Sequence, residues 1–103
     1  MVSVGLVSKD VISKSRIQEV LNEKGYDFTN INNAVFDASG FDLLIVDLAD
    51  PIALLVLKSH NYKCIAFGSS NDEARIKAAK MSGCDRVYKH GEFFKKILPN
   101  LKI

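Results

Sequence analysis

Residues 42–51 read DLLIVDLADP, and no other stretch limits the fold as tightly. Four consecutive apolar residues stand between two aspartates, with a proline four places beyond the second. A strand with one solvated face alternates polar and apolar residues, whereas an unbroken apolar run belongs to a strand covered on both faces. Such a strand sits centrally in a parallel sheet and delivers its last residue, here Asp47, to the C-terminal edge where ligands bind.

The rest of the chain repeats this arrangement. Residues 2–7 (VSVGLV) and 63–68 (KCIAFG) are further apolar strands. Residues 26–33 suggest a weaker edge strand, and 86–88 a last short one. A helical stripe of Ile17, Val20 and Leu21 follows the first strand, opened by Ser8, Asp10 or Ser13 and stopped by Gly25. Asp50-Pro51 reads as a cap and first helical position ahead of a short buried helix over 52–59. Ser70 and Glu73 have capping-box spacing and open a helix that Gly83 ends. Residues 92–98 form the last helix, with Phe93, Phe94, Ile97 and Leu98 inward and Pro99 as its stop. Strands and helices alternate five times, so the fold class is α/β. Right-handed crossovers give a doubly wound five-stranded parallel sheet in order 2-1-3-4-5, a flavodoxin-like three-layer sandwich. The segments around 33–41 and 52–62 are short, so the second and third crossover helices are reduced.

The 103 residues fit a single domain, residues 1–103, whose core needs no disulfide or metal. The longest apolar run, 52–57, is too short to cross a membrane, and no export signal opens the chain. Cys64 and Cys84 read as reduced, buried thiols, and a cytoplasmic location is expected. Residues 1–68 hold six basic against eight acidic side chains, and residues 69–103 eight against four. The C-terminal third is therefore mildly basic, but it lacks the dense cluster with interleaved aromatics that nucleic-acid binding requires. No phosphate-binding glycine loop, paired-cysteine motif or catalytic triad is present, and His60 and His90 have no partner at metal-ligand spacing. No enzyme activity, cofactor or metal is expected.

FDLLIVDLADP, with its aspartate-to-proline spacing, and AAKMSGCDRVYKHGEF, with a Gly-Cys-Asp run before the last strand, resemble the receiver domain of two-component response regulators. The resemblance spans nearly the whole chain. It implies that Asp47 occupies the phosphoacceptor position. Counted back from Gly25, Ser8 and Lys9 stand where the family keeps its magnesium-binding acidic pair, and only Asp10 beside them is acidic. Gly68 or Ser69 falls at the family's Ser/Thr position, and His90 or Lys89 at its lysine. Phosphoryl transfer to a carboxylate needs a divalent cation, and magnesium prefers several hard oxygens. A hydroxyl and an ammonium in place of two carboxylates degrade that site. Asp47 is then expected to be a structural remnant, its charge met by Lys9 or by backbone amides.

The expected function is a stand-alone, degenerate receiver-like module that regulates through protein interaction and is not phosphorylated. Two alternatives are an atypical phosphoacceptor using Asp47 and a small-molecule-binding flavodoxin-like domain. The resemblance implies that a protein partner or a second copy docks on the last two helices and last strand. That face carries Arg75, Lys77, Lys80, Arg86, Lys95 and Lys96, with Phe93 and Phe94 nearby.

Overall fold

In the computed structural model, which describes residues 1–103, every position of β3 (Leu43–Asp47) is buried. Its neighbours are β1 (Ser3–Val7) and β4 (Cys64–Gly68); β2 (Asp27–Asn30) adds to β1, and β5 (Val87–Lys89) to β4. All pairings are parallel and the order is β2-β1-β3-β4-β5, as the alternation of elements requires. The register sets Val7 against Val46 and Asp47 against Phe67, which brings the ends of β1, β3 and β4 to one edge.

Successive strand residues feed two separate core layers. Val4, Leu6, Leu43, Ile45, Ile65 and Phe67 face one side. There they meet Ile17 and Leu21 of α1 (Val11–Glu23) and Phe93, Phe94 and Leu98 of the last helix. Val7, Leu44, Val46, Cys64 and Ala66 face the other. They are covered by Val56 and Leu57 of α2 (Ala53–His60) and by Ile76 and Ala79 of α3 (Glu73–Met81). The final helix, α4, begins at His90 rather than at residue 92 and passes into a π turn over Phe93–Ile97. Leu98 N–H donates to the Phe93 carbonyl at 2.8 Å, an i→i+5 bond ahead of Pro99.

No α-helix connects β2 to β3; one 3-10 turn, Ala38–Gly40, takes its place. The crossover instead lies directly on the sheet, and Gly5 permits this. A Cβ at Gly5 would come within 2.6 Å of both Ile31 and Leu44 and 3.4 Å of Phe41. Lys63, just before β4, holds the same crossover from outside. Its Nζ donates to the carbonyls of Ala38 at 3.0 Å and Phe41 at 2.8 Å. The helix between β3 and β4 is also short, at eight residues.

Two caps differ from the sequence expectation. Asp50 and Pro51 form a turn and α2 starts only at Ala53. Asp50 Oδ1 accepts from the Ile52 amide and its carbonyl from the Ala53 amide, so the aspartate closes a turn rather than capping the helix proper. Helix α3 is capped by Asp72, whose Oδ1 accepts from the Arg75 amide, and not by Ser70. Gly25 and Gly83 take positive φ, +73° and +99°, directly after the helices they end. Both cysteines are free thiols; Cys64 Sγ donates to the His60 carbonyl and Cys84 Sγ approaches the Cys64 carbonyl.

Candidate functional site

Asp47 ends β3 and is 5% exposed. Its two oxygens have separate donors. The Ser8 hydroxyl donates to Oδ2 at 2.9 Å, and the Ala49 amide donates to Oδ1 at 2.9 Å. Ser8 is itself buried, placed there by the side-by-side pairing of β1 and β3. Lys9 does not join them. It is exposed, and the one ion pair of the molecule, Arg75 with Asp72 at 3.4 Å, lies elsewhere. The backbone-amide alternative for Asp47 therefore describes the geometry, helped by the neighbouring hydroxyl, and pairing with Lys9 is corrected. At the end of β1 one side chain turns in and the next turns out.

Asp10 is committed to α1. Its Oδ2 accepts from the Ser13 amide at 3.1 Å and the Ser13 hydroxyl at 2.5 Å. These bonds, the hydroxyl first, hold the Asp10 carboxyl below its ordinary range. Ser13 Oγ also lies 3.4 Å from His90 Nε2, so Asp10, Ser13 and His90 form one line of contacts between α1 and the start of α4. The His90 ring rests on Phe94 at 4.6 Å and Phe67 at 5.8 Å between centroids. Arg16 covers Phe94 from outside at 4.2 Å.

The remaining positions divide among other tasks. Gly68 is buried against Leu48, whose Cδ1 would lie 3.0 Å from an added Cβ. Ser69 Oγ accepts from the Asn71 amide at 3.2 Å and shapes the turn into α3. Lys89 lines a groove with Glu73, Ile76, Lys77 and Lys80, between α3 and β5. The structure thus unites Ser8 with Asp47 and Asp10 with His90, and sends Lys9 and Lys89 outward.

Several members of the expected interaction face also move. Phe93 and Phe94 are core residues, 0% and 6% exposed, with Phe93 stacked on Phe67 at 4.5 Å. They are removed from that face. Arg75 donates from Nη1 to the Leu48 carbonyl at 2.8 Å and ties the β3–α2 turn to α3, a bond between distant segments that no local pattern announces. Arg86 is half-buried, while Lys77, Lys80, Lys95 and Lys96 are exposed.

The receiver fold implies a magnesium ion beside Asp47, and the residues here do not fit one. Both Asp47 oxygens take protein donors, the nearby Asp50 carboxylate is engaged by the Ile52 amide and Asp10 by Ser13, and no cluster of three His, Cys, Asp or Glu able to hold a metal occurs in the chain.

With this geometry in place, comparison with known proteins defines the class. The chain has the fold of response-regulator receiver domains. It superposes on the receiver domain of HemR from Leptospira biflexa with a TM-score of 0.69 at 15% identity, covering 100% of this chain and 98% of that one. A receiver domain protein from Clostridium thermocellum matches with a TM-score of 0.74 at 11% identity, over 95% and 89% of the two chains. The Saccharomyces cerevisiae Ssk1 receiver domain, crystallised with the histidine phosphotransfer signaling protein Ypd1, matches with a TM-score of 0.66 at 17% identity, over 86% and 78%. No family model matches the sequence, and no curated protein is recognisably related to it.

Proposed function

We propose that the chain is a single receiver-like regulatory unit, residues 1–103, that works through protein contacts without a phosphorylation cycle and without enzymatic activity. The observation that carries this reading is the satisfaction of Asp47 by two neutral donors, Ser8 Oγ and the Ala49 amide. A phosphoacceptor must present a free carboxylate oxygen to the incoming phosphorus, next to a cation that neutralises the meeting anions. Here both oxygens accept hydrogen bonds from neutral donors, the position after Ser8 carries Lys9, and that side chain is exposed. The degenerate site comprises Asp47, Ser8, Lys9, Asp10, Gly68, Ser69, Lys89 and His90.

The contact surface is α3, the edge strand β5 and the outer side of α4. It offers Lys77, Lys80, Lys95 and Lys96, with Arg86 half-buried beside them. β5 pairs only with β4, so its outer edge carries unpaired backbone groups between two basic helices. A protein with an acidic face, or a second copy of this chain, suits that surface, and no helix of the molecule is long and apolar enough to cross a membrane. Incubation with acetyl phosphate and magnesium followed by intact-mass measurement tests the central claim. The expected result is unchanged mass. A gain of one phosphoryl group that Asp47→Asn abolishes would establish the phosphoacceptor reading instead.

A further inference from the structure

We propose that the groove between α3 and β5 is a binding site for a small phosphate-class anion of roughly nucleotide size. Its cavity, about 340 Å³, is lined by Glu73, Ile76, Lys77, Lys80 and Lys89. Lys77 and Lys80 come from α3 and Lys89 from the end of β5, so two separate elements contribute lysines to the lining of one recess. Three ammonium groups against one carboxylate leave two positive charges uncompensated. None of the three lysines is paired, since the one ion pair in the molecule is Arg75 with Asp72. An anion placed in the recess meets this excess of positive charge without having to displace an ion pair.

Size and chemistry narrow the ligand. The volume lies near the lower end of small-molecule sites, about 300–1,000 Å³. The groove is one small part of the wider basic face, and a recess of five residues holds a ligand far smaller than a protein contact of about 800 Å² per side. Lysine serves as a mobile point charge for phosphate without the fixed fork of arginine, which suits an open recess. A phosphate monoester brings about −1.5 to −2 at neutral pH, close to the charge the groove leaves over. Ile76, 8% exposed, and the aliphatic stems of the lysines give the non-phosphate part an apolar wall. The site shares no residue with the Ser8–Asp47 pair, so it stands or falls independently of the phosphorylation reading.

Pyrophosphate and ATP, each without magnesium, are titrated into the protein at low ionic strength by calorimetry, and amide shifts are mapped by NMR. The expected result is saturable one-to-one binding with shifts concentrated at residues 73–80 and 89. Lys77→Gln with Lys80→Gln should weaken it by about tenfold or more, as should Lys89→Gln with either. Lys95→Gln with Lys96→Gln, outside the groove, should bind like the wild type. Absence of saturable binding would overturn the proposal, as would equal weakening by the Lys95/Lys96 pair. Shifts centred elsewhere, or a glutamate decapeptide that binds the groove while pyrophosphate does not displace it, would also overturn it. The substituted lysines are exposed, and a matching melting temperature verifies that each variant is folded.

Discussion

Asp47 is held by two neutral hydrogen-bond donors rather than by an ion pair, and its substitutions should separate accordingly. Asp47→Ala leaves the buried Ser8 hydroxyl without its acceptor and the Ala49 amide without its side-chain partner, at a cost of about 1–3 kcal/mol. Asp47→Asn keeps an oxygen for the Ala49 amide and offers an NH₂ that the Ser8 hydroxyl can accept. It should cost less than about 1 kcal/mol in urea denaturation. A loss for Asn as large as that for Ala would mean that the charge itself is required. Lys9→Asp should change stability by no more than about 0.5 kcal/mol, as for an exposed residue without a partner. The position of Asp47 was legible because a buried strand can place its terminal acid only at the sheet edge. The direction of Lys9 was not, since alternation at a strand's last residues depends on a register the sequence does not state. Arg75 is exposed as expected, but its bond to the Leu48 carbonyl was not legible for a similar reason: the two residues are 27 positions apart.

Among the elements, the start of α1 responds to acid. The folded Asp10 carboxyl lies below its ordinary value of 3.8, through the Ser13 hydroxyl first and the Ser13 amide next. Its contribution is therefore complete above 3.8 and disappears as pH falls through the lower folded value. Melting temperatures followed from pH 5 to pH 2, a range of about three units around that value, should show a component that Ser13→Ala shrinks. An unchanged profile would show that the Ser13 hydroxyl bond is not formed in solution. The β2–β3 crossover depends comparably on one side chain. Lys63→Met removes both donors from the Ala38 and Phe41 carbonyls and should cost about 1–2 kcal/mol by denaturant titration. Loss below a few tenths of a kcal/mol would show that water replaces the ammonium without penalty. Element order was legible throughout, because runs of LLIV or CIAF have few other uses. Capping was less so: Ser69, Ser70 and Asp72 compete within four positions, and the carboxylate adjoining Glu73 takes the helix while Ser69 takes the turn. The π turn in α4 left no local signature. It absorbs one residue so that Phe93, Phe94 and Leu98 all reach the core.

At the scale of the molecule, two apolar layers share one sheet, and Phe67 is central to the layer beneath α1 and α4. Its ring stacks on Phe93 at 4.5 Å and meets Phe94 edge-on at 5.3 Å. Phe67→Ala should cost about 3–5 kcal/mol in the same assay. The opposite layer holds the thiols. Burial, with Cys84 nearby, pushes the Cys64 thiol up to about 12, so it stays protonated and unreactive at any ordinary pH. Thiol reagents should label Cys64 and Cys84 only as fast as the chain opens, and rapid native labelling would contradict their burial. A five-stranded sheet with two covered faces was legible from apolar runs alone. The surface chemistry was not, because which lysines meet across α3 and β5 depends on how the strands align. The helix-less passage from β2 to β3 has one further consequence, for what the fold can be made to carry. Val35 there is 88% exposed, between an edge strand and a single 3-10 turn. Each doubling of a flexible connection costs only about 0.6 kcal/mol. A reporter peptide or an entire foreign module grafted at Val35 should leave the sheet intact, making this the natural socket for building sensors from the domain.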